Sequence, residues 1–168
     1  MMMSILDLFL ISAFLIITYL IASIFIPMLS GGAGYTPTPR KLIDEALELV
    51  NLRKDDIFYD LGCGTGDVLI RALKRCDNVR GVEIDPLRWL ISRLRAREAL
   101  VTLGDLFRYD ISDADVIFIF QYRGKINDRF ADKILDETDP GTRVISYIHP
   151  INNMNLINKQ GDLYVYET

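Results

Sequence analysis

The sequence predicts an α/β protein, a doubly wound, mostly parallel, Rossmann-like sheet of about seven strands preceded by one N-terminal transmembrane helix. Three observations carry this. Short β-branched and apolar runs alternate with longer amphipathic ones from residue 40 onward, the first such run ends in a glycine-rich turn, and the opening thirty residues are far more apolar than the rest. The 168 residues suit one domain of ~100 to 150 residues with an appendage.

The appendage comes first. No charged side chain lies between Leu8 and Leu29. At 1.5 Å per residue such a run, wound as a helix, is long enough for a ~30 Å hydrocarbon layer. A cleaved leader would begin with a basic region, but Met1–Asp7 carries only an acid, so residues 5–30 read as a retained anchor. Arg40 and Lys41 follow the run and nothing basic precedes it. The expected arrangement is therefore a single-pass membrane protein with its larger part in the cytoplasm. Residues 31–39, with Gly31, Gly32 and Gly34 before Pro37 and Pro39, read as a linker, and the domain occupies 40–168.

Within that domain, Leu42, Ile43, Ala46, Leu47, Leu49 and Val50 recur at helical spacing over residues 40–51. Ile57–Leu61 is a short apolar strand that stops at Gly62, and Val68–Arg75 resumes a helix. Val79–Ile84, Leu100–Leu103, Val116–Phe120 and Arg143–Tyr147 read as further strands, with helices over Pro86–Ala99 and Ile126–Glu137. Such alternation gives a parallel sheet covered on both faces. Gly161-Asp162 marks a turn between two closing antiparallel strands, Leu156–Lys159 and Leu163–Tyr166.

Charge and cysteine content disfavour some chemistry. A net charge of -4 gives no electrostatic reason to expect nucleic acid as a partner. Cys63, Cys76 and the lone His149 make no metal-ligand spacing, so no metal is expected.

The glycine turn names the ligand more closely. It reads Asp60-Leu61-Gly62-Cys63-Gly64-Thr65-Gly66-Asp67. Glycines permit positive φ and let a ligand approach the backbone, but Asp60 and Asp67 would repel the pyrophosphate of a dinucleotide. S-adenosyl-L-methionine carries no phosphate, and its ammonium and sulfonium are cationic. Glu83, about 20 residues on, ends the second strand where an acid can accept both ribose hydroxyls. Asp105, after the third strand, could accept from the adenine amine while Leu106 or Phe107 packs on the ring.

With these residues in hand the chain resembles class I methyltransferases. Tyr35-Thr36-Pro37-Thr38-Pro39, the glycine turn, Asp110-Ile111-Ser112-Asp113-Ala114-Asp115-Val116 and Pro140-Gly141-Thr142-Arg143-Val144-Ile145-Ser146 look like small archaeal protein lysine methyltransferases. Their relatives include the membrane-anchored mitochondrial enzymes that methylate the ATP synthase c-subunit. The resemblance covers residues 34–150. It implies a class I methyltransferase fold, a lysine ε-amine as acceptor, Tyr35 and Thr36 near the methionine end of the cofactor, and Asp60, Gly62, Gly64, Glu83 and Asp105 around the rest. Two stretches depart: Gln121-Tyr122-Arg123 stands where such relatives run apolar, and His149 lies two places further along than their histidine.

Transfer from a sulfonium needs an oriented, deprotonated amine rather than a nucleophilic side chain, and an aromatic, partly desolvated pocket favours the neutral amine. Gln121 and Tyr122 after the fourth strand, with Tyr147 or His149 across the cleft, are the candidates to line it. The expected partners are a membrane-proximal protein carrying the acceptor lysine and the lipid bilayer. A small membrane-soluble acceptor, such as a quinone precursor or lipid headgroup, and a non-catalytic cofactor-binding protein are the alternatives. The proline-proline-aromatic motif that holds a base amine is absent after Phe120, which argues against nucleobase N-methylation. Arg88, Arg93, Arg95 and Arg97 form a basic stretch that reads as a solvated face or a contact for anionic headgroups.

Overall fold

The computed structural model describes residues 3–29, 36–120 and 125–168, without the side chains of 20, 23–29 and 125. Two compact units make up the chain, Met1–Gly34 and Tyr35–Thr168.

The first unit is the helix α1 (Ile5–Leu29). Ser4 starts it with reciprocal bonds: its Oγ accepts the Asp7 N–H at 3.1 Å, and the Asp7 carboxylate accepts the Ser4 N–H at 2.9 Å. Large apolar side chains along it, among them Ile5, Phe9, Phe14 and Ile17, are exposed. Among the described residues no helix is long and apolar enough to cross a membrane. The transmembrane helix expected over residues 5–30 is thus not found among the described residues.

The second unit follows the order α2 (Arg40–Leu49), β1 (Ile57–Leu61), α3 (Asp67–Ala72), β2 (Asn78–Glu83), α4 (Pro86–Arg95), β3 (Leu100–Leu103), β4 (Val116–Ile119), α5 (Lys125–Glu137), β5 (Arg143–Tyr147), β6 (Asn155–Gln160) and β7 (Leu163–Glu167). The strands form one seven-stranded sheet in the order β3-β2-β1-β4-β5-β7-β6. All neighbours are parallel except β5 with β7 and β7 with β6. The doubly wound, mostly parallel sheet of the expectation is thus present.

Its period-two alternation divides the core in two. Phe58, Val116, Phe118 and Ile145 join Ile43, Leu47 and Leu69 of α2 and α3 on one face. Tyr59, Leu61, Ile117, Ile119 and Val144 meet Phe130 and Ile134 of α5 on the other. Each such side chain, fully buried, contributes ~1.5 to 3 kcal/mol of transfer free energy.

Some boundaries differ from the sequence expectation. α4 ends at Arg95 rather than running to Ala99, because β3 pairs with β2 from Leu100 onward and residues 96–99 must reverse the chain; the Ala99 N–H closes that turn on the Ala96 carbonyl at 3.0 Å. β4 stops at Ile119, one residue before Phe120, and β6 carries a register shift between Leu156 and Asn158 that the sequence pattern does not announce. Gly31, Gly32 and Gly34 of the expected linker, together with Tyr35 and Gln121-Tyr122-Arg123, lie outside the described residues.

Candidate functional site

β1 has β2 on one side and β4 on the other, and the chain leaves it first toward β2 and β3, then returns to β4 and β5. That reversal opens a crevice at the carboxyl ends of β1 and β4, where open α/β sheets place ligands. The chain leaves β1 through a tight loop in which Gly62, Gly64 and Gly66 have φ of 91°, 54° and 83°. Side chains would strain there. The Gly62 and Cys63 N–H groups both donate to the Val82 carbonyl, at 2.9 and 3.0 Å, which folds the loop back over the end of β2.

Glu83, buried at the end of β2, holds the loop from the other side. Its Oε2 accepts the Gly64 N–H at 2.8 Å and its Oε1 accepts the Asp85 N–H at 2.9 Å. Each carboxylate oxygen keeps a second lone pair, so the two amides leave acceptor capacity for a pair of ribose hydroxyls. Asp85 in turn caps α4, accepting from the Leu87 and Arg88 N–H groups at 3.0 and 2.9 Å.

Asp60, one residue before the end of β1, is also buried, and its Oδ2 has no hydrogen-bond partner. Burial, and then the negative charges of Glu83 and Asp67, push its pKa well above the ordinary 3.8. An orphaned carboxylate oxygen in an acidic crevice calls for a donor, best a cation. It would repel a phosphate. The ammonium of S-adenosyl-L-methionine fits this requirement, and Asp60, Gly62, Gly64 and Glu83 are the residues that could hold that cofactor. When bound, it supplies an electrophilic methyl group on sulfur.

Other sequence candidates fare differently. Asp67 is held ionised by Arg95, which pairs with it at 2.7 Å and keeps its carboxyl below the usual range. Asp105 spends Oδ1 on the Phe107 N–H at 3.0 Å and faces Arg108 at 3.8 Å, a turn that shapes the loop after β3. Phe107 is committed to the second core face, 4.8 Å from the Phe130 ring with the Arg129 guanidinium 3.9 Å from its own centre. Leu106, half-buried like Phe107, packs against the same core face, so both residues expected to pack on adenine are engaged there. Thr36 is exposed in the segment before α2, while Tyr35, Gln121 and Tyr122 lie outside the described residues.

On the same carboxyl edge of the sheet, Tyr147 is buried at the end of β5, its ring 4.7 Å from Phe120, which in turn stacks on His149 at 6.5 Å. Burial raises the Tyr147 pKa, and the Asp162 charge adds to it. The turn between these rings is unusual: Ile148, a β-branched residue, has φ of 66°. Three bonds hold it there. The His149 N–H donates to Tyr147 at 2.8 Å, the Ile148 N–H donates to the Asp162 carbonyl at 2.7 Å, and Ser146 Oγ donates to the His149 carbonyl. Phe120 was legible only as the end of a strand, and nothing in the sequence pointed to the strained turn. The basic stretch dissolves into separate tasks, with Arg88 on Asp85, Arg93 over the Trp89 ring, Arg97 on the Leu94 carbonyl and Arg95 on Asp67.

Comparison with known proteins names the chemistry. Residues 60–158 match the family model described as ANTKMT methyltransferase domain. The chain belongs to this methyltransferase family. A protein-lysine N-methyltransferase of Saccharolobus islandicus (strain REY15A) is 34% identical over 134 residues, covering 72% of this chain and 80% of that one. The crystal structure of an RNA methyltransferase from Salinibacter ruber in complex with S-adenosyl-L-homocysteine superimposes with a TM-score of 0.71 at 30% identity, covering 79% of this chain and 92% of that one. The 23S rRNA (uracil(1939)-C(5))-methyltransferase RlmD of Legionella pneumophila (strain Corby) is 24% identical over 119 residues, and this chain spans only 26% of its length. The protein is therefore an S-adenosyl-L-methionine-dependent methyltransferase of class I architecture.

Proposed function

We propose that this methyltransferase modifies lysine side chains of proteins at a membrane surface. The observation that carries the lysine reading is the aromatic group Phe120, Tyr147 and His149 just beyond β4 and at the end of β5, on the sheet edge that also bears Asp60 and Glu83. A lysine ammonium, with an ordinary pKa of ~10.4, must lose its proton before it can accept a methyl group, and a partly desolvated aromatic surface favours the neutral amine. Tyr147 lines that approach, and Gln121 and Tyr122, next along the chain from Phe120, are proposed to complete it. The kinship to a protein-lysine N-methyltransferase at 34% identity supports the same acceptor.

The membrane reading rests on the uncharged run Leu8–Leu29 and on the exposed apolar side chains of α1. Single-pass anchoring through residues 5–30, with Arg40 and Lys41 on the cytoplasmic side, is the arrangement these features favour. RNA is the second reading, favoured by the similarity to the Salinibacter ruber RNA methyltransferase and opposed by the net charge of -4.

The test is to incubate the full chain, native membranes and cytosol with methyl-labelled cofactor. Label that resists ribonuclease, is removed by protease and maps to methyllysine in membrane proteins is the expected result. Label lost to ribonuclease would make RNA the acceptor. Label in the lipid extract would point to a small membrane-soluble acceptor, and none at all to a non-catalytic cofactor-binding role.

A further inference from the structure

We propose that Arg95, in the last turn of α4, is a positioning residue for the cofactor, clamping the loop Cys63–Asp67 into the shape that receives it. The clamp consists of three bonds. Arg95 Nη1 donates to the Thr65 carbonyl at 2.7 Å and to Asp67 Oδ2 at 3.3 Å, and Nη2 donates to Asp67 Oδ1 at 2.7 Å. The fork therefore grips a backbone carbonyl inside the glycine loop and the carboxylate that opens α3, fixing the loop at two points where it enters that helix. Arg88, Arg93 and Arg97 have partners elsewhere, which sets Arg95 apart within the basic stretch.

A second contact between the same two elements supports the clamp. The fully buried Ser92, one turn before Arg95, stands where Gly66 has no side chain: a Cβ there would be 2.6 Å from Ser92 Oγ. The other end of α4 is tied to the same loop through Asp85, whose N–H donates to Glu83 Oε1 while Glu83 Oε2 accepts from Gly64. Loop, β2 end and α4 thus form a closed circuit of contacts. Arg95 is its outermost link. Its side chain is 37% exposed, so the ion pair adds little to global stability, and its effect falls on the local shape of the loop.

The sign of the effect separates this role from plain electrostatics. S-adenosyl-L-methionine carries a net positive charge and S-adenosyl-L-homocysteine none. If Arg95 acted only as a nearby cation, its removal would tighten the first ligand and leave the second unchanged. A clamp predicts weaker binding of both. The experiment measures Kd for the two ligands by calorimetry, KM and kcat, and the ligand-free unfolding midpoint for Arg95→Met, Arg95→Lys and Asp67→Asn. Arg75→Met, which breaks the exposed Arg75–Glu48 pair, is the control. Arg95→Met should bind both ligands roughly tenfold more weakly with KM for the cofactor rising in step, kcat at saturation held, and an unfolding midpoint like that of the control. Arg95→Lys, which keeps the charge but not the fork, should fall between, and Asp67→Asn reads the same clamp should Arg95→Met fail to fold. Tighter binding of S-adenosyl-L-methionine, or Kd values equal to the control, would overturn the proposal. It rests on the glycine loop being the cofactor's seat, which Gly62→Val tests by itself: unchanged binding in that variant would overturn the seat and the clamp together.

Discussion

Asp60 shows how one side chain couples the crevice to pH. Held in the folded protein with its pKa well above 3.8 and Oδ2 without a partner, it binds a proton more tightly folded than unfolded. The stability it adds is therefore fully present below 3.8 and is lost as pH rises through the raised folded value. A cation beside Oδ2 favours the ionised form. Cofactor binding should accordingly expel a proton wherever Asp60 is still protonated, and affinity should fall as pH falls through its raised pKa. Calorimetry in two buffers of different ionisation enthalpy counts that proton, and Asp60→Asn should abolish its release; release that persists in the variant would assign it to another group. Two glycines make a second residue-scale contrast. Gly66→Ala meets Ser92 Oγ at 2.6 Å from a backbone at φ +83°, whereas Gly104→Ala meets nothing within 4 Å. Urea unfolding without ligand should give a loss of ~1 to 3 kcal/mol for the first and within ~0.5 kcal/mol for the second.

At the scale of elements, α2 is held to α3, the turn after it and the sheet by two kinds of contact of unequal weight. Arg71 meets Asp44 at 2.6 Å and Arg75 meets Glu48 at 2.9 Å, but Glu48 is 68% exposed, and such pairs contribute ~0 to 1 kcal/mol. Leu47, with no exposure at all, sits in the core against the sheet. Leu47→Ala should cost ~2 to 5 kcal/mol in urea unfolding and Glu48→Ala less than ~1; equal costs would mean the ion pairs hold α2. The same distinction governs what could be read from the chain beforehand. Ile57–Leu61, Leu100–Leu103 and Arg143–Tyr147 were legible to the residue, because glycine bounds each run closely, Gly62 and Gly104 after the first two and Gly141 before the third. The extent of α4 was not, since its end is set by where β3 must pair rather than by its own pattern. Glu83 and the glycines were legible as site candidates because the strand ends place them at fixed spacing. Arg95 was not, because it reaches Thr65 across 30 positions of chain, and neither was the turn at Ile148, whose φ of 66° is imposed by tertiary bonds against the preference of a β-branched residue.

For the molecule as a whole, the chain divides into Met1–Gly34 and Tyr35–Thr168. The second unit holds the entire sheet, the glycine loop, Glu83 and the aromatic group. The first is α1 with its exposed apolar side chains. A chain lacking residues 1–34 should therefore keep its affinity for S-adenosyl-L-homocysteine within about twofold of the full chain and, on the proposed membrane reading, lose association with native membranes. Methylation should respond differently for different acceptors. Anchoring raises the local concentration of catalyst near the bilayer, and only about ten residues, at most ~35 Å of extended chain, separate Leu29 from Arg40. Acceptors in or on the membrane should be labelled poorly by the truncated form, while soluble proteins, which the anchored form reaches less often, should be labelled as well or better. A Gly/Ser insert after Leu29 should extend the reach and move the pattern part of the way toward that of the truncated form. Labelled bands from the three forms, each given the same membranes and cytosol, provide the comparison. If the full chain labels soluble proteins as readily as the truncated one, α1 does not set the choice of acceptor, and the membrane reading of the N-terminal unit fails even though the methyltransferase activity stands.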